Sequence, residues 1–128
     1  IDYDESKWPV IIVRLNDKIT TQCVDELYQE FIFPAFEKPG KHVQVTDMSN
    51  VNPLMIRATI RARFAVHEKT MRKRYADKVV ADIRITPNIA IRGAITGVEW
   101  VAGDAPWPVK NVSSEQEAME WIEKSKLL

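Results

Sequence analysis

Ile83-Arg-Ile-Thr-Pro-Asn-Ile-Ala-Ile-Arg-Gly-Ala-Ile-Thr-Gly-Val-Glu-Trp100 reads as a strand, a tight turn and a helix in immediate succession. Pro87 has no N–H for a sheet ladder and steers Thr86 to extended backbone, so the strand stops there. Asn88 then suits the N-cap of the helix. At 100° per residue Ile91, Ala94, Ile95, Val98, Val101 and Ala102 share one face, wide enough to lie flat on a sheet. The opposite face carries Ile89, Arg92, Gly93, Thr96 and Trp100, and Arg92, Thr96 and Trp100 stack along one line at a spacing of four. That line meets either a neighbouring helix with the Pro106-Trp107-Pro108 loop, or a groove for a ligand or partner.

Working outward, the strand begins at Lys78. Val79, Ala81, Ile83 and Ile85 lie on one side, with Asp82 and Arg84 on the other. Two charges on one face imply an edge position or a pair shielded by a helix. Upstream, Asn52 as cap and Pro53 at the first position open a long helix. Its Leu54, Ala58, Ala62 and Ala65 form a small-residue arc suited to a sheet, and Ile56, Ile60, Phe64 and Met71 form a bulkier arc, so it is covered on two sides. Arg72-Lys-Arg74 is a basic end favoured by the helix dipole.

His42 to Thr46 is a short buried strand, followed by a polar loop from Asp47 to Asn52. Trp8 to Leu15 is a strand pairing antiparallel with a stub at Ile1 to Tyr3. Between these strands Thr20 and Thr21 offer caps to a helix carrying Val24, Leu27, Tyr28 and Phe31, which Pro34 kinks or ends. Downstream of Trp100, the Gly103 to Pro108 loop leads to a strand at Val109 to Val112. A last helix opens with a Ser113 and Gln116 capping box and carries an Ala118, Trp121 and Ile122 stripe. Strands and helices alternating at this spacing predict one α/β domain over 1–128, a mixed, mostly parallel five-stranded sheet with about four helices.

Composition narrows the function classes. Eighteen Lys and Arg balance eighteen Asp and Glu, so the overall charge points to neither nucleic acid nor membrane. From Arg57 to Lys78 eight basic residues face only Glu68 and Asp77, a net of +6. With neutral overall charge that run makes a poor nucleic-acid surface. Cys23 is the one cysteine, which excludes an internal disulfide, and no CxxC or His cluster argues for a metal. No apolar run approaches the ~20 residues that span a bilayer and no signal peptide is evident, so the cytoplasm is the expected compartment.

His42 and His67 stand apart from any HxxH or HExxH spacing, and His67 is read as a packed, hydrogen-bonded histidine. No GxSxG elbow or P-loop occurs. The expected catalytic, metal and cofactor sets are therefore empty.

Val43-Gln-Val-Thr-Asp-Met-Ser-Asn-Val51 resembles the strand, Asp, apolar, Ser, x, Val signature of STAS domains, the anti-sigma factor antagonist (SpoIIAA-like) fold. Arg92-Gly-Ala-Ile-Thr96 with Trp100, Pro108-Val and Glu117-Ala-Met-Glu-Trp121 resemble bacterial single-domain STAS/SEC14-like proteins. Regulatory STAS domains continue with an Asp-Ser-Ser-Gly or Asp-Ser-Thr-Gly phosphorylation switch, where this chain has Asn52-Pro-Leu-Met55. The resemblance implies a non-enzymatic protein-interaction module without that switch, with a homodimer as one form. Its SEC14-like side implies instead a carrier or sensor of a lipid or other apolar anionic small molecule.

Open α/β sheets gather ligands and partners at the carboxyl ends of their strands. Ser49, Asn50, Arg57 and Arg61 are accordingly candidate contacts beside Arg92, Thr96 and Trp100. A pocket between the two middle helices, lined by Ile56, Ile60, Phe64 and Trp100, would favour the ligand reading.

Overall fold

Alternating valine and isoleucine make the central strands. In the computed structural model, which describes residues 1–51, 56–86 and 105–126, β1 (Asp2–Asp4), β2 (Val10–Arg14), β3 (His42–Asp47), β4 (Val79–Ile85) and β5 (Val109–Val112) form one sheet in that order. β1 runs antiparallel to β2 and every other pair is parallel. The chain is therefore α/β with a mixed, mostly parallel five-stranded sheet.

Parallel neighbours need crossovers, and helices supply them. Between β2 and β3, helix α1 begins as Thr21–Glu26, passes through a π-helical stretch at Leu27–Ile32 and closes as Phe33–Phe36. Thr20 caps it by accepting a hydrogen bond from the Cys23 amide. Pro34 does not end this helix; it stands in the first turn of the closing Phe33–Phe36 segment. Its ring would strike the carbonyl four residues back, and the wider π winding just before it, where the Phe33 amide donates to the Tyr28 carbonyl, relieves that clash.

Helix α2 (Ala58–Arg74) joins β3 to β4. The Asn52 cap and the Pro53 start lie outside the described residues; at the start of α2 Arg57 is still extended, and the Arg61 Nη1 donates to the Ile56 carbonyl at 2.7 Å, fastening the lead-in across the first turn. The small-residue arc is split: Ala58 and Ala62 are exposed and Ala65 is buried, with Leu54 outside the described residues, while Ile60 and Met71 are buried with Phe64 packed beside them. The buried bulk of Ile60 and Met71 fills space between the helix and the sheet.

Helix α3 (Glu115–Ser125) covers the other face. Its cap is Ser114, whose hydroxyl accepts from the Glu117 amide. The Glu117 carboxylate reaches back to the amide and hydroxyl of Ser113. The box thus falls one residue later than Ser113 and Gln116, because a carboxylate is the stronger acceptor and Gln116 pairs with Glu120 instead. The helix expected over Ile89 to Trp100 lies outside the described residues, which hold three helices.

Two cores result. Ile11, Val13 and Leu15 pack under α1 and α2 with Val24, Tyr28, Ile32, Phe36 and Met71. Val10, Ile12, Val43, Val45, Ile83 and Ile85 pack with Val112, Ala118 and Ile122 beneath α3. Strand β4 is interior, between β3 and β5, so Asp82 and Arg84 form the helix-shielded pair rather than an edge.

Candidate functional site

On a strand buried on both faces every position is expected to be apolar. Strands β3 and β4 break this rule on the face beneath α1 and α2. Gln44 lies opposite Asp82 and Thr46 opposite Arg84, a four-residue polar patch in the middle of the sheet. Gln44, Asp82 and Arg84 are buried. Arg84 Nη2 donates to Asp82 Oδ2 at 3.1 Å, and the pair is shielded by the helices above.

The helices do not close fully on this patch. A cavity of about 90 Å³ remains. Its floor is the polar patch with Val13 and Leu15 of β2 and the segment that follows it, and Leu27, Tyr28 and Ile32 of the π-helical stretch form one wall. Ile60, Phe64 and Glu68 of α2 form the other wall, and Met48, Ile19 and Ile56 close the ends. Half-buried Ile19, Ile56, Arg61 and Phe64 mark where it opens. Apolar walls around a few convergent polar groups are the usual make-up of a small-molecule site.

Glu68 is the most perturbed of those groups. The Tyr28 hydroxyl donates to its Oε1 at 2.8 Å, and Arg72 Nε lies 3.7 Å from its Oε2. Burial, with the Asp82 charge second, pushes its pKa up to about 7. The Tyr28 phenol is pushed well up as well, by burial and then by Glu68. Behind this wall His67 Nε2 meets Asp25 Oδ1 at 2.7 Å, and its ring stacks on Tyr28 at 4.7 Å, the packed, hydrogen-bonded histidine expected from its place on the helix.

The structure distributes the expected site residues unevenly. Arg61 lines the cavity, whereas Arg57 is exposed at the start of α2. Ser49 and Asn50 are exposed on the loop after β3, outside the lining, although Met48 beside them belongs to it. The Ser49 amide and hydroxyl both donate to Asp47 Oδ1, at 2.9 and 2.5 Å. Arg92, Thr96 and Trp100 lie outside the described residues.

Ile56, Ile60 and Phe64 do line a pocket, but its described surfaces are α1, α2 and the sheet. Reading the chain from its residues overlooked Gln44, Thr46 and Glu68 and treated Asp82 and Arg84 only as a pair. The signal was present as polar side chains alternating with valine and isoleucine in strands too central to be wet.

Among the described residues no group of three His, Cys, Asp or Glu is placed to hold a metal, and no helix is long and apolar enough to cross a membrane. No protein-family model, no curated protein and no solved structure matches the chain.

Proposed function

We propose that this chain is a non-enzymatic STAS/SEC14-like domain that carries or senses a small apolar molecule, held in the cavity between the sheet and helices α1 and α2. The observation that carries the reading is the cavity's construction: aliphatic and aromatic walls over a buried polar floor, open at one side. A fold free to pack its core would fill such a space with side chains, since voids and buried polar groups both cost stability. At about 90 Å³ it is smaller than the ~150 Å³ apolar cavity that takes up benzene. The ligand is therefore a compact molecule, or one whose compact end enters while a tail lies across Ile56 and Phe64. A lipid acyl chain does not fit inside whole.

Native mass spectrometry of the purified protein tests this reading. The expected result is a small-molecule adduct that collisional activation strips off. The adduct should be missing from Ile60→Trp, where the indole occupies the cavity. A bare protein mass, or an adduct retained equally by Ile60→Trp, contradicts it.

The loop after β3 supports a second reading, of a protein-binding edge. Ser49 and Asn50 are exposed between buried Met48 and Val51, so the loop presents two hydrogen-bonding side chains at the carboxyl ends of parallel strands. Replacing both by alanine should abolish capture of a protein partner. Unchanged capture would remove this edge from consideration.

A further inference from the structure

The polar floor of the cavity is short of hydrogen-bond donors. Asp82 Oδ1, Gln44 Oε1 and Glu68 Oε2 are each buried without a hydrogen-bond partner. All three residues line the same cavity. They come from three elements, with Gln44 and Asp82 opposite each other on β3 and β4 and Glu68 on α2. Gln44 and Asp82 are each 3% exposed, so bulk water does not satisfy them. Buried oxygens are almost always paired in folded proteins, and three such acceptors around one space call for a donor that enters it.

Resting on the reading of this cavity as a ligand site, we propose that the ligand's polar end is a cationic hydrogen-bond donor, a primary ammonium on a short apolar body, received by Asp82, Glu68 and Gln44. This replaces the anion expected of an SEC14-like carrier. An anionic end would enter a floor whose unpaired atoms are all oxygens and would meet two carboxyl groups. Of the guanidiniums that line the cavity, Arg84 is engaged by Asp82 Oδ2 and Arg61 donates through Nη1 to the Ile56 carbonyl.

The groups facing Glu68 are consistent with this assignment. They are the Tyr28 hydroxyl from α1, Arg72 on its own helix, and Asp82 and Arg84 from β4. Against them its carboxyl rises to about 7 through burial and the Asp82 charge, the behaviour of an acid with too little positive charge beside it. An ammonium between Glu68 and Asp82 would lower both, so binding below pH 7 should release a proton.

Three probes of equal length separate the possibilities: n-hexylamine, 1-hexanol and hexanoate, each titrated into the isotopically labelled protein and followed by amide and methyl NMR. Hexylammonium is expected to bind about tenfold tighter than hexanol, the scale of one charge-assisted hydrogen bond, and hexanoate weakest. Glu68→Gln, which keeps the Tyr28 partner, and separately Gln44→Leu should shrink the amine preference and leave hexanol binding in place. Asp82→Asn is the stronger test if its melt shows a folded chain.

Equal affinity for amine and alcohol, or tighter binding of hexanoate, overturns the donor assignment while the cavity reading stands. If none of the three shifts a cavity methyl, both fail together. An amine preference that both variants leave untouched places the amine elsewhere and overturns the assignment.

Discussion

Half-buried Glu68 and buried His42 are an acid and a base whose charges pull stability in opposite directions with pH. Glu68 titrates at about 7 in the folded chain, against an ordinary 4.5. The native state holds that proton the more tightly, so the contribution is full below pH 4.5 and is lost as pH rises through 7. His42, 1% exposed and packed between Trp8 and Phe36, is held down to about 4 from 6.5, by burial and then by the Lys78 charge. Its contribution is full above pH 6.5 and is lost as pH falls through 4.

Between pH 4.5 and 6.5 the two slopes are opposite, each roughly 1 kcal/mol per pH unit, so together they cancel. Glu68→Gln should then lose stability on acidification across that window and His42→Phe should gain it, read by urea melts at several pH values. Parallel slopes in the two variants would show that one of these groups is not titrating as its surroundings dictate. At the same scale, Asp47→Asn weakens the acceptor for the Ser49 amide and hydroxyl. About 1 kcal/mol should be lost, with little change if the loop is held mainly by buried Met48 and Val51.

At the scale of elements, local chemistry and packing divide the control. Helix α3 is set by its ends. Ser114 caps its first turn, and Lys126 closes it in the left-handed region at φ 52, where a side chain is strained and glycine is not. Ser114→Ala should cost about 1 kcal/mol and Lys126→Gly should recover a few tenths to 1 kcal/mol, both measured as shifts in thermal midpoint. A stabilising Ser114→Ala would mean that Ser113 is the working cap after all.

Helix α2 is set by its neighbours instead. Arg57 stays extended, and the start of α2 at Ala58 is fixed by the Ile56 anchor and by the bulky face turned to the sheet. This divides what could be read from residues alone. Val10 to Val13, Val43 with Val45, and Ile83 with Ile85 declare strands through their alternation, and the sheet followed from the order of elements. The start of α2 and the face it buries were not legible, because both depend on what the sheet presents beneath it. The polar floor was hidden for the same reason: Gln44 and Asp82 are 38 positions apart in sequence, and only the pairing of β3 with β4 makes them neighbours. Glu68 lies in a run of basic residues, and only the fold places Tyr28 and Asp82 beside it.

Among the described residues, one face of the sheet is an apolar core and the other holds the cavity. Beneath α3 the lining is aliphatic. Arg14 fastens that helix to the sheet edge, with Nε and Nη2 donating to the two oxygens of Glu115 at 2.9 Å each and Nη1 donating to Asp2 and Asp4 of β1. The guanidinium is one-third exposed, so its removal as Arg14→Met should cost only about 1 kcal/mol, yet β1 and the first turn of α3 should lose hydrogen-exchange protection together. Loss confined to β1 would show that the helix is held by its apolar stripe alone. The opposite face is not closed in the same way: a cavity of about 90 Å³ remains over the Gln44, Asp82 and Glu68 side chains.

That the space between them takes up an apolar molecule is the claim on which the functional account depends. Intermolecular nuclear Overhauser effects between saturating 1-hexanol and the labelled protein test it most directly. The account predicts contacts from the alcohol's terminal methyl to Val13, Leu27, Ile60 and Phe64. Contacts confined to the exposed side chains of Trp8, Phe31, Val66 or Val109, or none at all, would contradict it.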